Sequence, residues 1–136
     1  MSDAHLAGPL LNHRVIDGDT VEVGIGVCVP IRLAGIDTPE LRIPAQFAAA
    51  LVAQAHARLW LAEAKRAAER DDKIAVMVRV DDLALYKRLE GHVYRTDSAQ
   101  TLSEYLLLVG VAVKSEDGRR HKWTDEELRR IERLAP

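Results

Sequence analysis

Between about residues 45 and 70 the chain changes its hydrophobic period, and that change restricts the folds open to it. Phe47, Leu51, Ala55, Leu59 and Ala62 fall on one stripe at helical spacing, in an alanine-rich background that favours helix. On both sides the chain reads as short strands instead. Residues 13–23 read as two strands joined at Asp17-Gly18-Asp19, with Val21 and Val23 alternating about Glu22. A third strand is expected from Val27 to Ile36, after a turn at Gly24–Gly26. It ends at Asp37-Thr38-Pro39-Glu40, where proline stops the ladder. Lys73 to Val80 gives a fourth strand and Tyr86 to Tyr94 a fifth.

Two shorter helices complete the pattern. Leu102 to Val109 is closed by Gly110, and a charged helix starts at Thr124 as N-cap, with Glu127 three places on in a capping-box pattern. Three strands, a long helix, two strands and then helices make an α+β order. It is compatible with a five-stranded barrel of the oligonucleotide-binding type with flanking helices, although periodicity alone allows other α+β arrangements. With 136 residues and no repeat or low-complexity linker, one domain over 1–136 is expected.

Composition narrows the class. An apolar content of 48% suits a globular chain, and no run approaches the roughly 18 apolar residues of a membrane span. Met1 to Leu11 lacks a basic, then apolar, leader pattern, so a cytoplasmic location is the default expectation. Cys28 has no partner for an internal disulfide and reads as a small buried hydrophobe. The net charge of −2 gives no overall basic footprint for nucleic acid, so any phosphate site must gather its positive charge locally.

Three segments hold polar residues where a plain strand would not want them. Asp17-Gly18-Asp19-Thr20 is, by itself, explained as a hairpin turn. Ile31 to Glu40 embeds Arg32 in an apolar strand that runs into an acidic turn, which calls for a structural ion pair or a bound ligand. Tyr86 to Tyr94 carries Arg88, which alone could be a solvated strand residue. Together, aspartates and a glutamate without His or Cys partners suit a hard cation such as Ca²⁺ or Mg²⁺ rather than zinc. Two arginines beside them suit a phosphate whose charge grows during attack, and a remaining glutamate can activate water. This is the inventory of phosphodiester hydrolysis.

Ile16-Asp17-Gly18-Asp19-Thr20-Val21, Arg32-Leu33-Ala34-Gly35-Ile36-Asp37-Thr38-Pro39-Glu40 and Tyr86-Lys87-Arg88 resemble, in order and spacing, the signature segments of the staphylococcal nuclease (thermonuclease) family. Leu102 to Val113 is similar to the family's helix and following strand. The resemblance covers about residues 13–114 and leaves 115–136 as a charged C-terminal helix. It implies an oligonucleotide-binding barrel and calcium-dependent cleavage of DNA and RNA with little sequence preference, leaving 3′-phosphates. Mg²⁺ is expected to support less activity. Carried over, Asp19 and Asp37 would bind calcium through carboxylates and Thr38 through its carbonyl, with Asp17 in the outer shell. Glu40 would be the general base. Arg32 and Arg88 would bind the phosphate, with Tyr86 and Lys87 beside the substrate. The alternative is a catalytically silent barrel of the same type that binds nucleic acid or protein.

The chain also departs from the family pattern. The usual Asp-x-Tyr-Gly-Arg is here Ala84-Leu85-Tyr86-Lys87-Arg88, and Glu116-Asp117-Gly118 stands where aromatic rings would flank a nucleotide. Arg119-Arg120-His121-Lys122 reads as a solvated loop beside a Trp123 packed on the barrel, the alternative being contact with a nucleic-acid backbone. His13, His56, His92 and His121 lack metal-ligand spacing and read as surface or satisfied residues. Trp60 reads as core.

Overall fold

The computed structural model describes the backbone at residues 6–9, 12–24, 28–84, 88–116 and 119–136. Strands β1 (Leu6–Pro9), β2 (Asn12–Asp17), β3 (Thr20–Gly24) and β4 (Cys28–Leu33) are followed by a two-residue strand β5 (Ile36–Asp37). A 3-10 turn, Pro44–Gln46, then leads into the long helix α1 (Phe47–Arg70). Strands β6 (Val76–Ala84) and β7 (Arg88–Arg95), helix α2 (Leu102–Val109), strand β8 (Val113–Lys114) and helix α3 (Asp125–Glu132) complete the chain.

The main sheet has six strands in the order β1-β6-β7-β4-β3-β2, antiparallel except for the parallel pair β4–β7. With three helices this is the expected α+β class. Two details differ from the sequence reading. A sixth strand, β1, lines up antiparallel to β6, with Pro9 opposite Met77. Its position at the edge tolerates a residue that has no N–H to donate. Closure into a barrel is not made by any ladder among the described residues: β1 and β2 form the two edges, although only two residues separate them in the chain.

Strand alternation sorts the side chains. Val21 and Val23 on β3, Ile31 and Leu33 on β4, and Val76, Val78 and Val80 on β6 are all buried on the core side. Arg32, between Ile31 and Leu33, therefore faces the other way. This resolves the arginine embedded in an apolar strand: it leaves the core instead of entering it.

Helix α1 covers the core with a face other than the stripe that its larger apolar residues suggest. Ala49, Ala50, Ala53, Ala57, Leu61 and Ala64 are buried, whereas Phe47, Leu51 and Leu59 are exposed. Alanines let the helix axis approach the sheet closely, and Trp60 and Leu61 supply bulk, each worth on the order of 2 kcal/mol of burial. Trp60 is core, as expected. His56, also buried, is satisfied by the Leu134 carbonyl at 2.6 Å and the Tyr105 hydroxyl at 3.4 Å.

Both short helices end as their sequences dictate. Gly110 closes α2 with φ of 91°, the left-handed conformation that glycine adopts without strain. At α3 the Thr124 hydroxyl accepts from the Glu127 N–H while the Glu127 carboxylate accepts from the Thr124 N–H, the full capping box. No helix among the described residues is long and apolar enough to cross a membrane.

Candidate active site

The turn between β2 and β3 carries Asp17 and Asp19, and β4 runs beside β3 with Arg32 opposite Thr20. The Asp19 carbonyl accepts the Leu33 N–H at 2.8 Å, which fixes this turn against the end of β4. Gly18 is needed here for space. A Cβ on it would lie 2.8 Å from both Ala53 Cβ and Thr38 Oγ1, so the turn is wedged between α1 and the Asp-Thr-Pro-Glu loop.

Across this wedge the acidic residues converge. Asp19, Asp37 and Thr38 are each about 1% exposed and Glu40 8%. Carboxylates so deeply buried need partners, and two arginines provide them. Arg32 Nη1 donates to Asp19 Oδ2 at 3.1 Å, while its Nη2 donates to Asp37 Oδ1 and to the Ile36 carbonyl. Burial works against the charge of Arg32, but Asp19 and Asp37 outweigh it and hold the guanidinium protonated above its ordinary range.

The second arginine is Arg120, which turns inward although the sequence places it in a solvated loop. Its Nη1 donates to Asp19 Oδ2 at 3.2 Å and Asp37 Oδ1 at 3.4 Å, and its Nη2 lies 3.5 Å from Glu40 Oε1. The next residue, His121, donates its backbone N–H to Asp37 Oδ2 at 3.2 Å. The short ladder between β5 and β8, with Asp37 opposite Val113, brings this segment to the acidic loop. The imidazole of His121 turns away to the Glu127 carboxylate at 3.0 Å, with Trp123 edge-on to it.

Backbone amides and further side chains set the positions of the acids. The Thr38 N–H donates to Asp19 Oδ2, and the Leu41 N–H to Asp17 Oδ1. Burial pushes the Asp17 carboxyl above its ordinary value; the Leu41 N–H opposes this, while the charges of Asp19 and Glu40 add to it. The Glu40 N–H is held by Gln46 Oε1 at 2.9 Å, so Gln46 anchors the acidic loop although it stands at the N-cap of α1. Arg42 reaches Glu40 Oε1 from solvent at 3.2 Å. Buried Gln54 ties α1 to β2 through the Val15 and Ile16 carbonyls.

The structure thus brings together Asp17, Asp19, Arg32, Asp37, Thr38 and Glu40. Arg88 opens β7, the parallel neighbour of β4, with its backbone opposite Ala84. Its side chain, Tyr86 and Lys87 lie outside the described residues, as do Asp117, Gly118 and the side chain of Cys28. Beside Asp37 and Arg120 opens a cleft of about 210 Å³, lined also by Lys114, Glu116, Arg119 and Lys122. Glu116 and Asp37 are the acids of this cleft, outnumbered there by Lys114, Arg119, Arg120 and Lys122.

Fold and site define an α+β domain that sets buried carboxylates between two arginines beside a basic cleft, an arrangement suited to phosphate. The family model described as staphylococcal nuclease homologue matches residues 30–136. This chain belongs to that family, whose members are generally nucleases, which supports a nuclease-like or nucleic-acid-binding role. The match takes in Arg32, Asp37, Glu40 and Arg88 and continues through α3, past the limit of residue 114 expected from the motifs. No curated protein matches the chain significantly.

Proposed function

We propose that this protein is a calcium-dependent nuclease that hydrolyses phosphodiester bonds of DNA and RNA with little sequence preference and leaves 3′-phosphates. The observation that carries this reading is the convergence of buried Asp19, Asp37 and Glu40 around Arg120, with Arg32 bridging the two aspartates.

The donor chemistry fits a hard cation. Asp19 and Asp37 would hold calcium through carboxylates and Thr38 through its carbonyl, with Asp17 in the outer shell. Among the described residues no three His, Cys, Asp or Glu side chains are grouped to hold a metal by themselves, so water must complete the six to eight oxygens typical of calcium. The carboxylates of Asp19, Asp37 and Glu40 are paired with Arg32 and Arg120, with Arg42 also on Glu40, so a divalent ion would enter by displacing one of these cations. Arg120 is the ion's competitor, since it occupies oxygens of both aspartates. When bound, calcium would supply charge stabilisation to the phosphate.

The chain's own residues do the rest. Glu40 takes the proton of the attacking water. Its Oε1 is engaged by Arg42 and Arg120, while no hydrogen bond from a described residue reaches Oε2. Arg32 and Arg88 bind the phosphate oxygens as charge builds on them, and Tyr86 and Lys87 would contribute to substrate binding.

A second reading, a catalytically silent module that binds nucleic acid, is favoured by the same two arginines, because they already neutralise Asp19 and Asp37. Incubating the protein with labelled single-stranded DNA, in calcium or in excess chelator, separates the two. Cleavage that requires calcium supports the nuclease; binding without cleavage under both conditions supports the silent module.

A further inference from the structure

Lys114, Arg119, Arg120 and Lys122 line the cleft next to the carboxylate cluster, against Asp37 and Glu116 as its acids. Asp37 repels little, because Oδ1 accepts from Arg32 and Arg120 and Oδ2 from the His121 N–H. Lys114, Arg119 and Lys122 are exposed and form no ion pair with any described residue. Elsewhere Arg66 and Arg70 pair with Glu63, and Arg95 with Asp97, whereas Arg58, Arg129, Arg130 and Arg133 stand on helices or at their ends and form no ion pair with a described residue. A chain of net charge −2 thus gathers three cations with no ion-pair partner among the described residues around one concavity that shares Arg120 and Asp37 with the acidic cluster.

The lining also states what kind of ligand fits. It presents cationic forks and ammonium groups, which suit phosphate oxygens. Among its described residues it offers no free aromatic face, since the His121 ring is taken up by Glu127 and Trp123. A base would find nothing to stack on, whereas a phosphodiester backbone would find counter-charges.

We propose that this cleft binds a second phosphate of the polynucleotide, next to the phosphate at the carboxylate cluster, and so sets the path of the strand over β8 and the segment after it. The proposal rests on the nuclease reading and adds Lys114, Arg119 and Lys122 to its binding surface. Such contacts carry no sequence information, so they add affinity and salt dependence without base preference.

The test is fluorescence anisotropy of a labelled twelve-nucleotide single-stranded DNA in excess chelator, over a series of salt concentrations. The wild type is compared with Arg119→Ala/Lys122→Ala and with the charge-keeping Arg119→Lys/Lys122→Arg. The slope of log K against log salt falls by about 0.7 for each phosphate no longer neutralised, so the alanine variant, which frees the one phosphate of the cleft, should lose about 0.7. Its affinity should fall roughly tenfold or more at low salt, while the charge-keeping variant retains the wild-type slope. An unchanged slope in the alanine variant overturns the proposal. Cleavage by the wild type in calcium is measured separately. A protein that binds with the expected slopes yet never cuts would sink the nuclease reading and leave the cleft assigned; one that cuts with unaltered slopes would do the reverse.

Discussion

Arg120 donates through Nη1 to Oδ2 of Asp19 over 3.2 Å, across 101 residues of chain. The same oxygen accepts from Arg32 at 3.1 Å and from the Thr38 N–H at 3.2 Å. Asp19 is thereby the point where the β2–β3 turn, the β4 strand, the acidic loop and the segment before α3 are held together. Its burial is possible only because each of the others brings a donor.

If Arg120 stands in the place of a cation, removing it should open that place. Arg120→Met is expected to bind calcium about tenfold more tightly than the wild type, the low end for a charge-assisted network at a partly exposed site. Isothermal titration calorimetry of both proteins checks this. Equal affinities would mean that the guanidinium and the ion do not compete. In chelator the same variant should melt at a lower temperature, because two buried aspartates lose a counter-charge.

Arg32 is the more deeply placed partner, with 14% of its side chain exposed. Arg32→Ala leaves Asp19 and Asp37 short of compensation and is expected to cost about 3–5 kcal/mol of stability. Urea denaturation measures it. A loss below 1 kcal/mol would show that Arg120 alone suffices.

Glu40→Gln keeps the size of the side chain and removes the proton acceptor. Turnover on single-stranded DNA is expected to fall on the order of 10²–10⁴-fold with the melting temperature nearly unchanged. Undiminished turnover would reduce Glu40 to a loop carboxylate.

Gly18→Ala places a methyl group against Thr38 and Ala53, neither of which ends in a flexible chain. Overpacking of this kind costs about 1–3 kcal/mol. The displacement falls on Thr38, so calcium affinity should drop along with stability. A variant that melts like the wild type would show that the loop yields freely.

The α3 capping box gives a dependence on pH. The Thr124 N–H holds the Glu127 carboxyl below its ordinary 4.5; burial opposes this by less, and the His121 ring adds a still smaller effect in the same direction as Thr124. A depressed carboxylate stabilises the fold above its unfolded value, and that contribution is lost as pH falls through 4.5 and below. The melting-temperature difference between wild type and Glu127→Gln should therefore be largest near neutrality and shrink in acid. Thr124→Ala, which removes the other half of the box, should cost about 1 kcal/mol.

Strand alternation, the helix at 47–70 and both helix ends were legible in the sequence because each depends on local spacing. The acids and Arg32 were legible because charge inside apolar runs is costly and therefore informative. Arg120 was not. Four polar residues in a row, 119–122, offer no internal reason for one of them to turn inward, and the choice is made by a ladder of two residues a side. Gln46 and Gln54 were hidden because a neutral amide on a helix is unremarkable until a buried N–H or carbonyl stands opposite it. The outer face of α1 misleads for a related reason: both faces are apolar, and small residues win the inner one because they allow closer approach.

The pairing of β5 with β8, Ile36 opposite Lys114 and Asp37 opposite Val113, puts a residue of the acidic loop and a residue of the basic cleft one register step apart. A strand lying across both would be measured against a fixed gauge. The bond offered for cleavage would follow from where the neighbouring phosphate is gripped, whatever bases hang from it. Fragment lengths near an end of the substrate would then cluster at a preferred offset, a footprint of protein geometry written into the products.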